Sequence, residues 1–222
     1  GLLLVALMVA GVGEGVIEGL ATPFVQDLHP EEPGRYINFT HAFWSVGVLA
    51  TVLLSGALLS LGVSWRLLTG ALLLLALVPG VLLLAPAWRG GTRPDPHRPV
   101  PWRTVRRHAV DILRLPRFWV FFAAMFVAGG GEFCLTFWSA SYIQLSFTPD
   151  PWAGGVGTAC FAAGMVLGRT GWGYLIRQHH LRRLILLSSL VGTAITACLP
   201  AVHSLRLFFA MLFLAGVATA PF

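Results

Sequence analysis

Long apolar stretches recur along the chain at 1 to 25, 38 to 61, 66 to 88, 117 to 144, 153 to 176, 183 to 202 and 205 to 222. Each comes close to the ~20 residues that a helix needs to cross the hydrocarbon of a bilayer, so the pattern predicts seven membrane-spanning helices. Short polar turns separate most of them: Gly62-Val63-Ser64-Trp65-Arg66, Thr148-Pro149-Asp150-Pro151-Trp152 and Arg177-Gln178-His179-His180. Such turns join neighbouring helices as hairpins. The one long connection, 89 to 116, divides three spans from four. It follows Trp88 with Arg89-Gly90-Gly91-Thr92-Arg93-Pro94-Asp95-Pro96, which is too rich in glycine, proline and charge to enter lipid.

Composition agrees with this pattern. Hydrophobic residues make up 56% of the chain and charged residues only 11%, against roughly 25% charged in an ordinary soluble domain. A water-facing surface cannot be assembled from such material, and the predicted fold class is an all-α integral membrane protein, a polytopic helical bundle. The formal charge of +6 points to membrane topology rather than to nucleic acid, because all 15 basic residues are arginine and most sit in the connections. Arg35, the eight arginines of 89 to 117, and Arg177, Arg182 and Arg183 fall on one side, whereas Arg66 and Arg206 fall on the other. The positive-inside rule makes the arginine-rich side cytoplasmic and puts Gly1 outside and Phe222 inside. The chain opens and stops within apolar runs and carries no signal-peptide pattern, as expected of a segment of a longer protein. Cys134, Cys160 and Cys198 lie in predicted spans, with no spacing that suggests a disulfide or a zinc site.

Within the long connection, Trp102, Val105, Ile112, Leu113 and Leu115 interleave with Arg103, Arg106, Arg107 and Arg114. This suits a basic helix lying among lipid headgroups, and also a solvated tether. Trp65, Trp88, Trp119 and Trp152 lie near span ends, where indole rings favour the interface.

The polar residues inside spans are the candidates for function. An intramembrane carboxylate costs at least ~2.5 kcal/mol at the bilayer centre on insertion scales, so Glu14, Glu18 and Glu132 call for partners or a watery cavity. Glu14 and Glu18 share a helix face that Thr22 continues. Asn38, His41 and Ser45 form a similar stripe in the second span, and Glu132, Thr136 and Ser139 another in the fourth. Three such stripes converge if their helices surround a hydrophilic pathway. The hydroxyl residues are equally served by ordinary hydrogen bonding within and between helices. His41 suits a proton relay or a helix-end histidine wetted from the cytoplasm. Arg169 lies in the glycine-dense run 164 to 173, where small residues allow close helix packing. It either snorkels to the cytoplasmic surface or meets an acidic partner or helix end at a gate. No Ser-His-Asp order, HExxH, CxxC pair or phosphate-binding glycine loop is present, so no enzyme, cofactor or metal site is expected.

The run Ile17-Glu18-Gly19-Leu20-Ala21-Thr22-Pro23-Phe24-Val25, then Pro30-Glu31 and Asn38-Phe39-Thr40-His41-Ala42-Phe43-Trp44-Ser45-Val46-Gly47, resembles helices four and five of the fucose permease branch of the major facilitator superfamily. Trp138-Ser139-Ala140-Ser141-Tyr142 is similar to the Trp-Ser region of that family's seventh helix. Gly168-Arg169, with Gly171, Leu175 and Ile176, is similar to its eighth. The resemblance covers most of 11 to 185. It implies a partial major facilitator fold of seven transmembrane helices, four to ten of twelve. Residues 1 to 88 would be the last three helices of the N-terminal half, 89 to 116 the cytoplasmic linker, and 117 to 222 the first four helices of the C-terminal half.

The resemblance further implies a secondary active transporter of the plasma membrane, driven by alternating access of the two halves around a midplane site. Glu18 matches the proton-coupling glutamate of the fucose symporter. Thr22 stands where the family has Asn, and His41 and Trp44 stand where it has Gln and Asn facing the sugar. Arg177 lies near a position where the superfamily commonly has Asp. The implied function is proton-coupled symport of a sugar or similar small polar solute, with Glu14, Thr22, Asn38, His41, Trp44, Glu132, Trp138 and Tyr142 as cavity candidates and Arg169 as a gating residue. Its partners are the solute, protons, the bilayer and the remaining helices of the longer chain. An exporter of drugs or metabolites in the same superfamily is the alternative. A seven-helix receptor is a third reading, though the absence of lysine forbids a retinal Schiff base.

Overall fold

A computed structural model describes residues 1–84, 101–175 and 181–220. The end of the third expected span, most of the long connection, Ile176, the turn Arg177-Gln178-His179-His180 and the last two residues lie outside the described residues. Among those described there are eight α-helices and one 3-10 turn, with no strand: α1 Leu2–Leu28, α2 Pro33–Ser60, α3 Trp65–Leu84, α4 Trp102–Leu113, α5 Pro116–Ser146, α6 Pro151–Leu175, α7 Leu181–Cys198 and α8 Leu205–Thr219. Every expected span carries a helix, and α4 is the additional one, inside the long connection.

Prolines set several starts. Pro33, Pro116 and Pro151 are each the first residue of their helix, where the missing N–H is not needed and φ is already helical. α2 therefore begins five residues before the apolar run that announced it, and this places Arg35 and Tyr36 on the helix. Gly62 ends α2 at φ +85°. The Gly62 N–H donates to the Leu59 carbonyl and the Val63 N–H to the Leu58 carbonyl, each at 3.0 Å. This is a Schellman ending, in which glycine takes the left-handed conformation that a side chain would resist.

Four helices, Leu4–Leu28, Gly34–Ser60, Pro116–Ser146 and Arg183–Ala201, are long and apolar enough to cross a membrane among the described residues; Trp65–Leu75 and Leu205–Thr219 are shorter apolar stretches. Their uncovered side chains are mostly large hydrophobics, including Leu4, Met8, Val12, Leu73, Phe121 and Phe126. Lipid is the solvent in which such a surface costs nothing.

α6 is the helix on which three others pack. It packs most extensively on α2, then on α8 and α5, and its glycines explain how. A Cβ on Gly155 would stand 2.8 Å from the Val52 carbonyl oxygen and 3.2 Å from the Gly56 Cα of α2. On another face, a Cβ on Gly164 would collide with the Phe213 carbonyl, while one on Gly216 of α8 would collide with the Phe161 carbonyl. Backbones approach this closely only where both partners lack side chains. Phe161 and Met165 of α6, Ile143 of α5, and Phe208, Leu212 and Ala215 of α8 fill the core between these contacts.

Candidate functional site

Arg169 stands on α6 about two turns before Leu175, the last described residue of that helix, and its side chain turns inward. It is 5% exposed, and its charged head meets two neighbouring helices. Nη2 donates to both carboxylate oxygens of Glu132 on α5, at 3.0 and 3.1 Å. Nη1 turns the other way and donates to Ser45 Oγ, at 2.7 Å, and to the His41 carbonyl, at 3.2 Å, both on α2. Ser45 in turn donates to the same carbonyl at 3.3 Å. The Trp44 ring lies 5.5 Å from the guanidinium carbon and adds a cation–π contact.

Each helix presents these groups through its 3.6-residue period. His41 and Ser45 are one turn apart on α2, with Trp44 beside them, and Glu132 begins the polar face of α5. Thr136 on that face donates to the Glu132 carbonyl at 2.9 Å, and Ser139 donates to the Leu135 carbonyl. These hydroxyls are satisfied by their own helix. The arginine and the glutamate form a largely desolvated ion pair, which is costly unless its remaining hydrogen-bonding capacity is filled. Ser45 and the His41 carbonyl supply the acceptors for Nη1.

A seven-helix pattern around a buried ion pair suits several membrane families, and one comparison decides between them. The family model described as Major Facilitator Superfamily matches residues 1–222. The chain belongs to this superfamily. A comparison with curated proteins found no match, and a comparison with solved structures found none. Members of the superfamily are multi-pass membrane transporters rather than enzymes, and the helical, lipid-facing architecture agrees.

In this member of the superfamily, the structure brings together His41, Trp44, Glu132 and Arg169 of the expected site residues. Asn38 lies one turn below His41, half-buried against Gly173 of α6. Glu18 is exposed on α1 and within electrostatic range of both His41 and Glu132. Thr22 is half-buried and Glu14 exposed on the same helix. Trp138 is 67% exposed. Tyr142 joins a different group, stacking on Phe208 at 5.3 Å and meeting Phe147 edge-on at 6.2 Å. Among the described residues no cluster of His, Cys, Asp and Glu could hold a metal ion.

Two contacts between α2 and α6 had no counterpart in the sequence reading. Where the start of α2 meets the end of α6, the Arg35 guanidinium lies 4.8 Å from the Tyr174 ring centre, and Phe39 meets Tyr174 edge-on at 5.1 Å. At the opposite end, Ser60 donates to Asp150 Oδ1 at 2.8 Å and accepts the Trp152 N–H at 2.9 Å. Asp150 also accepts that N–H, at 3.0 Å, as the cap of α6. The Asp-Pro pair at 150 and 151 signals a helix start, but nothing local signals its partner Ser60.

Proposed function

We propose that this transporter is a proton-coupled symporter of the plasma membrane that takes up a sugar or a similar small polar solute by alternating access. The buried Arg169 junction carries the reading. It supports a division in which 1 to 88 and 117 to 222 belong to two halves joined by the cytoplasmic linker 89 to 116. Arg169 then pairs with Glu132 inside its own half and reaches α2 of the other half only through uncharged groups, a hydroxyl, a carbonyl and the Trp44 ring.

This division of labour suits a moving interface. Separating α2 from α6 breaks hydrogen bonds to neutral acceptors, worth roughly 1.5 to 3 kcal/mol each when the donor is charged, and water entering the gap replaces them. The ion pair travels intact with α5 and α6, so no charge is stranded in a low-dielectric medium. Arg169 is thereby the gating residue of the cycle.

Glu18 is the proton-coupling carboxylate in this reading. Its supports are the resemblance of its surroundings to the fourth helix of the fucose symporter and its electrostatic proximity to His41 and Glu132. A group ionised in one state and neutral in the other biases the two conformations. Glu14, Thr22, Asn38, His41 and Trp44 line the solute path with Glu132, Trp138 and Tyr142. The aromatic rings suit the apolar face of a sugar, and the polar groups suit its hydroxyls. Counterflow and accumulation assays on Glu18→Gln test the assignment. The variant exchanges solute at equal concentrations but does not concentrate it, and concentrative uptake by the variant would move the coupling role to Glu14 or Glu132.

A further inference from the structure

α4 is a helix that no other described part of the molecule covers. Twelve residues long, it contains no buried residue. Trp102, Val105, Ala109, Ile112 and Leu113 fall within one arc of about 100° of its circumference, the width of a single apolar stripe. Trp102 is 75% exposed and Val105, Ile112 and Leu113 are each more than 40% exposed. Arg103, Arg107 and Asp111 occupy the opposite side. Arg106 borders the stripe, where a long side chain can lay its methylenes on an apolar surface and lift its charge clear.

The helix is also fixed in place. The Trp119 indole N–H donates to the Leu113 carbonyl at 2.8 Å, which ties the last turn of α4 to the first turn of α5. Pro116–Ser146 is long and apolar enough to cross a membrane, and its first turn carries Arg117 and Trp119, residue types that favour the membrane interface, so α4 is tied to the interfacial end of a candidate span. Arg114 and Arg117 add two more charges at this junction.

We infer that α4 is a binding surface for anionic phospholipid, with its apolar stripe sunk to the headgroup boundary and Arg103, Arg106 and Arg107 gathering lipid phosphates. Continuity with α5 supplies the membrane as the occupant, and charge supplies the lipid class. Amphipathic basic helices bind through apolar burial together with attraction to negative headgroups. The inference holds whatever solute is carried.

The test uses the intact transporter in nanodiscs of phosphatidylcholine alone or of phosphatidylcholine with phosphatidylglycerol. Nitroxide labels are placed singly at Ala109 and Asp111, with Cys134, Cys160 and Cys198 replaced by Ala. Accessibility to oxygen and to a water-soluble nickel chelate then reads depth. The expected result is a several-fold higher oxygen-to-nickel ratio at Ala109 than at Asp111 in the phosphatidylglycerol discs. That difference shrinks in phosphatidylcholine alone, in high salt, or in R103Q/R107Q. Phosphatidylglycerol retained through purification by the chain with its native cysteines, counted by mass spectrometry, falls in R103Q/R107Q. Equal accessibility at the two positions, or a depth and lipid count indifferent to lipid charge and to the arginines, would overturn the inference.

Discussion

One nitrogen of Arg169, Nη2, serves both oxygens of the Glu132 carboxylate, which leaves Nη1 for a second helix. A side-on fork using both nitrogens would have been the stronger ion pair taken alone. The end-on arrangement instead lets one guanidinium connect three helices.

Replacing Arg169 by Met strands the Glu132 carboxylate among apolar neighbours. Loss of one partner of a buried pair costs about 3 to 5 kcal/mol, while replacement of both by apolar residues is often neutral. Arg169→Met should therefore destabilise the folded transporter severely, and Arg169→Met combined with Glu132→Leu should restore most of the stability without restoring transport. Unfolding midpoints in detergent, beside uptake rates, check both halves of this expectation.

Arg169→Lys keeps the charge but loses the planar donors that reach Glu132 and Ser45 together. Turnover should fall more than solute affinity. Initial uptake rates and equilibrium binding separate the two, and equal, unchanged values for both would remove Arg169 from the gating role.

Glycines in α6 offer a graded series. Gly164→Ala drives a methyl into the Phe213 carbonyl, whereas Gly171→Ala meets nothing within 4 Å. Overpacking costs typically about 1 to 3 kcal/mol, so Gly164→Ala should lower thermal stability and Gly171→Ala should leave it unchanged or slightly raised. Similar melting shifts in the two variants would contradict the packing described between α6 and α8.

Much of this was legible before the fold was known. Hydropathy located a helix in each of the seven apolar stretches, and four helices among the described residues are long and apolar enough to cross a membrane. It misplaced the start of α2, since Arg35 and Tyr36 end an apolar run without ending a helix that Pro33 has already begun. It left α4 open between a headgroup helix and a tether, because in a segment so short the periodicity alone does not decide whether the chain coils. The stripes of Glu132 and His41 were visible as spacing. That they meet at Arg169 was not, because the rotation of one helix against another is set by where backbones touch, here at Gly56 and Gly155 between α2 and α6 and at Ala140 and Gly154 between α5 and α6. Ser60 and Asp150, 90 residues apart, lie beyond any local rule for the same reason.

The Asp150 carboxyl is held below the usual carboxylate range, first by the Trp152 N–H and then by the Ser60 hydroxyl. A group with a depressed folded-state pKa stabilises the fold above its unfolded pKa, about 3.9 for Asp, and that contribution disappears as pH falls through the folded value. Stability should therefore drop on acidification below about pH 4 more steeply in the native protein than in Asp150→Asn. Acid titrations of the unfolding midpoint measure this difference, and identical acid limbs would remove Asp150 from the junction between α2 and α6.

Proton coupling is the central claim, and proton movement measures it most directly. Vesicles containing the intact transporter, with a pH-sensitive dye inside, are presented with a panel of monosaccharides in the absence of any imposed gradient. The account predicts that a transported sugar acidifies the interior as it enters, with the response lost in Glu18→Gln while sugar exchange persists. Sugar entry at full rate with no accompanying proton flux would contradict it.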